Sequence, residues 1–145
     1  MKKLFAAVVC FSLSALIAGA GDTGKTAKLE GSWTATGGVM EGKKLPEDVV
    51  TKLNLTVVIK DGKYNVSIMG KEIENGTYKI DAKAKPTTID LKIAKGKDEG
   101  KTQLGIFLLE GDKLTVAIAG ADSKERPKTF EGAEGVEITM LKRNK

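Results

Sequence analysis

From Leu29 onward, apolar and polar residues alternate in short runs, and Gly-, Asp- and Pro-containing turns separate the runs. A period of two is the signature of strands with one buried face. The first strand is expected from Leu29 to Gly37 and carries the only tryptophan, Trp33. Leu45-Pro46-Glu47-Asp48 then opens a short helix through Leu53, with a proline suited to the first turn and acids at its positive end. Leu53, Leu55, Val57 and Ile59 alternate with polar partners, and Val58 is the one apolar residue on the other face. Asp61-Gly62 is a type I′ hairpin signal leading into Tyr64, Val66 and Ile68.

Gly70-Lys71 reads as a type II′ turn into a strand from Glu72 to Ile80. Asn75-Gly76 is a rival turn. Choosing Gly70-Lys71 leaves Tyr78 and Ile80 in a full-length strand and makes Gly76 a bulge or a close backbone approach. Further strands carry Ile89, Leu91 and Ile93, then Leu104, Ile106 and Leu108 with Gly105 and Phe107 on the opposite face. Leu114, Val116 and Ile118 follow Glu110-Gly111-Asp112, and Val136, Ile138 and Met140 come last, after a longer connection from Gly120 to Glu134.

The pattern therefore predicts eight antiparallel strands joined mostly by tight turns, with one short helix near the first connection. An eight-stranded meander leaves two open edges unless it closes. Closure gives an up-and-down barrel whose interior holds side chains or one small ligand. A two-sheet sandwich would need more long connections than the single one seen here.

The residues before the barrel change the setting. Lys2 and Lys3, the apolar stretch Leu4 to Ile17, and Ala18-Gly19-Ala20 form the three parts of a secretory signal peptide. This predicts cleavage near Ala20 and an exported protein, periplasmic or extracellular. The stretch is too short for a retained membrane span. Residues 1–20 are thus expected as signal, 21–28 as a flexible leader, and 29–145 as the barrel domain. The one cysteine, Cys10, lies inside the apolar run rather than at the cleavage point, which is the wrong place for lipid attachment.

Charge and chemistry narrow the function classes. The chain has 24 Lys and Arg against 19 Asp and Glu, a net charge of +5. Two of the lysines belong to the signal, which leaves +3 on the exported part. These charges are scattered among acids, so no basic stripe for nucleic acid is expected. The chain has no histidine, and Cys10 leaves with the signal. Nucleophile systems built on Ser-His or Cys-His are therefore excluded, as are the usual nitrogen and sulfur ligands of zinc. Gly100-Lys101-Thr102 matches the end of a phosphate-binding loop, but the position that must be glycine upstream is Lys95. A pair of carboxylates remains conceivable, although Asp61, Asp98, Glu99 and Asp112 sit in turns and Asp90 points outward. We expect a protein that is not an enzyme and uses no cofactor.

The expected inward set is aliphatic: Leu55, Val57, Ile59, Val66, Ile68, Ile89, Leu91, Leu104, Ile106, Leu114, Val116 and Ile138. Two readings compete for it. One is a packed core, as in a structural or protein-interaction module of the cell envelope. The other is an apolar pocket for a small hydrophobic ligand, the one partner the pattern suggests.

Leu29-Glu30-Gly31-Ser32-Trp33 resembles the L-x-G-x-W opening of lipocalin-like domains. More of the chain resembles an uncharacterised lipocalin-like domain family of planctomycete bacteria. The matching pieces are Gly42 to Pro46, Gly76-Thr77-Tyr78, Lys85-Pro86, Ile89-Asp90-Leu91, Gly100-Lys101-Thr102, Leu104-Gly105-Ile106, Leu109 to Asp112 with Leu114, Glu125-Arg126-Pro127, and Leu141-Lys142-Arg143. Phe107 departs from it, standing where the family often has tyrosine. The resemblance implies a lipocalin-like barrel behind a secretion signal and carries no activity with it. It also implies that Trp33 closes one barrel end beneath Lys142 or Arg143 through a cation–π contact. Arg126 either anchors its loop to carbonyls, the plainer role for a multi-donor side chain, or faces a ligand at the mouth. If a ligand enters, the candidates to touch it are Trp33, Tyr64, Tyr78, Phe107 and Arg126.

Overall fold

The computed structural model describes residues 28–145. The expected signal peptide and all but the last residue of the expected leader lie outside the described residues. Lys28 and Leu29 are helical, and the first strand, β1 (Gly31–Met40), follows directly. After it come β2 (Lys43–Lys44), helix α1 (Glu47–Leu53), β3 (Leu55–Lys60), β4 (Lys63–Ile68), β5 (Lys71–Asp81), β6 (Thr87–Gly96), β7 (Thr102–Glu110), β8 (Lys113–Ala119) and β9 (Val136–Arg143).

Every strand pairs antiparallel with its neighbour from β3 to β9, and β1 pairs with both β3 and β9. Those eight strands close the barrel, while the two-residue β2 only extends β1 at one end. Closure satisfies the backbone groups that an open meander would leave exposed. Asp61 and Gly62 both take positive φ, 53° and 76°, as a type I′ turn requires.

The β4–β5 turn differs from expectation by one residue. Ile68 pairs with Lys71, so the turn residues are Met69 and Gly70, with φ of 53° and 81°. This is again a type I′ geometry, and it places a methionine in the left-handed region. The first strand is also displaced, because Trp33 Nε1 donates to the Leu29 carbonyl at 2.9 Å and holds Leu29 in a turn before the strand. The strand passes through a bulge at Thr36 and continues beyond Gly37 to Met40, with Gly38 pairing with Thr139.

Helix α1 starts after Pro46, has Glu47 and Asp48 in its first turn and Lys52 in its last, and ends on Asn54 at φ 41°. The acids at the positive end and the lysine at the negative end each complement the helix dipole. The helix buries Val50.

Two apolar clusters share the strands. The larger fills the closed end of the barrel and includes Leu29, Trp33, Ile59, Tyr78, Ile89, Phe107, Leu114 and Leu141. The smaller lies outside the barrel wall. There Ile106, Ala117 and Ile138 are buried with Val39, Phe130 and Val136 beneath the connection between β8 and β9. This corrects the expected inward set. Leu104 pairs with the outward Asp90, Ala117 pairs with both Ile106 and Ile138, and so Leu104, Ile106 and Ile138 belong to the outer face. Their inward neighbours are Gln103, Gly105 and Phe107 on β7 and Glu137, Thr139 and Leu141 on β9. The remaining nine residues of that set stand on the inward-facing positions of their strands. No described helix is long and apolar enough to cross a membrane.

Candidate functional site

The barrel encloses a cavity of about 420 Å³. That lies within the few hundred to a thousand Å³ of small-molecule sites. Its walls are aliphatic along most of their depth: Leu55, Val57 and Ile59 on β3, Val66 on β4, Ile89 and Leu91 on β6, and Leu114, Val116 and Ile118 on β8. Phe107, Tyr78, Leu29 and Leu141, all at least nine-tenths buried, complete the inner end. The outer end is polar. Glu74, Lys97, Asp98, Gln103, Glu137 and Thr139 line it, together with the half-exposed Ile73. The cavity therefore reaches solvent between the β4–β5 turn, the β6–β7 loop and the start of β9.

Trp33 lies below this cavity rather than on its wall. It is fully buried, and the Arg143 guanidinium sits 4.2 Å from its ring centroid. Arg143 Nη1 and Nη2 donate to the carbonyls of Glu30 and Lys28, and Nε meets Asp112 Oδ1 at 3.3 Å. One side chain of the last strand thus fastens the segment before the first strand across the barrel floor, with Leu29 held above it. Gly31 leaves the room this needs, since a Cβ there would stand 2.8 Å from Arg143 Nη1.

Arg126 also stands off the cavity wall. Its Nη1 donates to the carbonyls of Gly105 at 2.9 Å and Ile89 at 3.3 Å, and its Nη2 meets Asp90 Oδ1 at 2.7 Å as an ion pair. It clamps the β8–β9 connection to the outside of β6 and β7. Of the five residues nominated from the sequence, Tyr64, Tyr78 and Phe107 line the cavity, and Trp33 and Arg126 do not.

A bulge makes the mouth acidic. In the β4–β5 ladder Ser67 pairs with Glu72 but Val66 pairs with Glu74, so Ile73 is the extra residue. A bulge of this kind re-aims the side chains beside it. Glu74 thereby faces inward opposite Val66, where an unbroken ladder would have turned it to solvent. Tyr64 then reaches across, and its hydroxyl donates to Glu74 Oε1 at 2.9 Å. The Tyr64 ring fits because its pairing partner Gly76 has no side chain. A Cβ on Gly76 would stand 3.0 Å from Tyr64 Cε1 and collide with the Lys92 carbonyl oxygen. The expectation of a close backbone approach at Gly76 thus holds, beside a ladder irregularity between Asn75 and Gly76.

Burial raises the Glu74 pKa above the usual carboxylate value, the Tyr64 hydrogen bond pulls it partly back, and Asp98 and Glu137 raise it further. Burial is also the main cause that raises the Tyr64 phenol, assisted by its bond to Glu74 and that group's charge. Tyr78 is raised by burial first, then by Glu30 and Asp61. Its hydroxyl is buried and finds no hydrogen-bond partner among the described residues.

The sequence reading missed Glu74, Glu137 and Asp98 as site residues. A signal for Glu74 exists: it shares strand parity with Gly76, Tyr78 and Ile80. Glu137 had no such signal, because three larger apolar residues beside it marked the opposite face as inward. Its place in a polar turn marks Asp98 as a solvated residue. It does pair with Lys101 at 3.5 Å, but it also borders the cavity. Among the described residues, no three His, Cys, Asp or Glu side chains are grouped so as to hold a metal ion. No protein-family model matches the chain, and no curated protein matches it significantly.

Proposed function

We propose that this protein is a non-catalytic binding module that holds one small, largely apolar molecule inside its barrel. The observation that carries this reading is the cavity of about 420 Å³, aliphatic for most of its depth and open at a polar end. A barrel serving only as a structural module gains nothing from a cavity. Close-packed interiors are the rule, and each unfilled volume forfeits dispersion contacts and costs stability. The chain also lacks the histidine on which most general acid–base and nucleophile systems depend. We further propose that the protein acts after export, in the periplasm or outside the cell. Lys2-Lys3, the apolar stretch behind them and Ala18-Gly19-Ala20 support that placement. The resemblance to lipocalin-like domains supports the binding-module reading, since a closed eight-stranded barrel is the fold such a domain would have.

The test is a thermal-shift series with neutral n-alkanols of eight to twelve carbons, repeated on Val116→Trp. A ligand at about 100 times its Kd adds about 2.7 kcal/mol to stability. The expected result is a rise in Tm that grows with chain length in the native protein and vanishes in the variant, whose indole occupies the cavity. The circular dichroism spectrum confirms that the variant is folded. No rise with any alkanol up to its solubility limit would overturn the reading and favour an interaction module of the cell envelope.

A further inference from the structure

The cavity lining carries a charge opposite to that of the chain as a whole. The protein is +5 overall, yet the lining holds Glu74, Asp98 and Glu137 against Lys97 alone. A concave, low-dielectric site concentrates such a field and draws in the complementary charge. Neither Glu74 nor Glu137 takes part in an ion pair among the described residues, whereas Asp98 has Lys101. The placement of Glu74 is constructed in three parts: the bulge at Ile73 turns it inward, Gly76 admits the Tyr64 ring, and the Tyr64 hydroxyl fixes Oε1 at 2.9 Å. Its Oε2 has no hydrogen-bond donor from any described side chain.

Resting on the reading of the barrel as a binding module, we propose that its ligand is an amphiphile with an ammonium head, seated with the apolar body inside and the head against Glu74. Asp98 and Glu137 supply the surrounding negative field. An ammonium brings up to three donors to acceptors that otherwise lack them. It also relieves the mutual repulsion of the three carboxylates, which burial has already strengthened around Glu74. A carboxylate head in the same seat would face three like charges, with the exposed Lys97 as its single counter-ion.

Decylamine, decanol and decanoate, each below its micellar concentration at pH 7, separate the outcomes by calorimetric titration of the native protein and of Glu74→Gln. The glutamine keeps an acceptor for Tyr64 and removes the charge. Decylamine is expected to bind about 10-fold or more tighter than decanol, as a charged hydrogen bond warrants. In Glu74→Gln that advantage falls to about 3-fold or less while decanol affinity stays unchanged. The head-group proposal is overturned if the amine binds no tighter than the alcohol, if decanoate binds tightest, or if the advantage survives in Glu74→Gln. In each of those cases binding of decanol keeps the binding-module reading intact. Failure of all three compounds overturns both.

Discussion

Arg143→Ala tests whether the barrel floor is held as described. The substitution removes the donor to the Glu30 carbonyl, which is partly buried, the donor to the exposed Lys28 carbonyl, the contact with Asp112, and the cation–π contact with Trp33 at 4.2 Å. The partly buried charged hydrogen bond is the largest contribution, roughly 1.5–3 kcal/mol. Water replaces the donor at Lys28, so that bond adds little. The cation–π contact adds about 1 kcal/mol, the Trp33 ring being fully buried beneath a guanidinium that is itself partly wet. Asp112 is half exposed, and such a pair adds close to nothing. These contributions share one side chain and are not strictly additive. A loss of about 3 kcal/mol results, or a drop in Tm on the order of 10 °C for a domain of this size.

Urea unfolding followed by tryptophan fluorescence measures this directly, because Trp33 is the only tryptophan and reports from beneath the altered side chain. Arg143→Lys is the companion variant. It keeps a cation for the ring but replaces a planar fork by a point charge, so it can hold only one of the two carbonyls well. It should lose about half as much. A loss below about 1 kcal/mol for Arg143→Ala, or a lysine variant equal to the native protein, would refute the claim that this guanidinium fastens the floor.

Three further outcomes follow from other parts of the barrel. Gly76→Ala forces a Cβ against the Lys92 carbonyl oxygen and the Tyr64 ring, and should cost at least about 2 kcal/mol in urea unfolding while releasing the Tyr64–Glu74 bond, seen as a Tyr64 phenol pKa that moves back toward 10. Tyr78→Phe deletes a buried hydroxyl that has no partner among the described residues, so thermal unfolding should show it neutral or up to about 2 kcal/mol more stable than the native protein. Glu74→Gln concerns pH: the folded-state pKa of Glu74 is raised above its ordinary value, so its ionisation opposes folding, and native stability falls as pH rises through that region. Tyr64, Asp98, Glu137 and Lys97 are the ionisable groups that face it; Asp98 and Glu137 add to the rise, and the hydrogen bond from Tyr64 opposes it. The variant should therefore be more stable than the native protein at pH 7, and the gain should disappear below about pH 4, where both folded and unfolded carboxyls are protonated. A variant equally stabilised at both pH values would show that the charge is not the cause.

The strands were legible because their alternation is strict and their turns carry glycine. The faces of β7 and β9 were not. Alternation tells the inner face of a strand only where the outer face is polar. On β7 both faces are apolar: Gly105 and Phe107 look inward, and Leu104, Ile106 and Leu108 look outward. On β9 the outward Val136, Ile138 and Met140 outweigh the inward Thr139 and Leu141. The reason lies in the connection between β8 and β9, outside both strands. Phe130 in that connection covers Ile106, Ala117 and Ile138 and makes the outside of the wall a second interior. Nothing local to β7 or β9 announces that cover. Bulges hide in the same way. The extra residue at Ile73 leaves no compositional mark, yet it is what lets Glu74 keep the inward parity of Gly76, Tyr78 and Ile80 despite the position of the turn.

The two arginine anchors explain why the mouth can be polar and open. Arg143 fixes the floor, and Arg126 with Phe130 fixes the outer wall over β6 to β9, beside the seam where β9 meets β1. Both anchors use carbonyl oxygens as acceptors, so they add stability without drawing on the cavity lining. The mouth is held more loosely, by the exposed ion pairs of Lys101 with Asp98 and Asp122 and by the bond between Tyr64 and Glu74, which orients a carboxylate whose partial burial works against folding. A half-buried carboxylate of raised pKa beside two like charges is retained at a cost in stability that its hydrogen bond offsets only in part. On the proposed reading, that cost is the one a site for a cationic head group would carry, and the test on Glu74→Gln decides between it and a merely structural barrel.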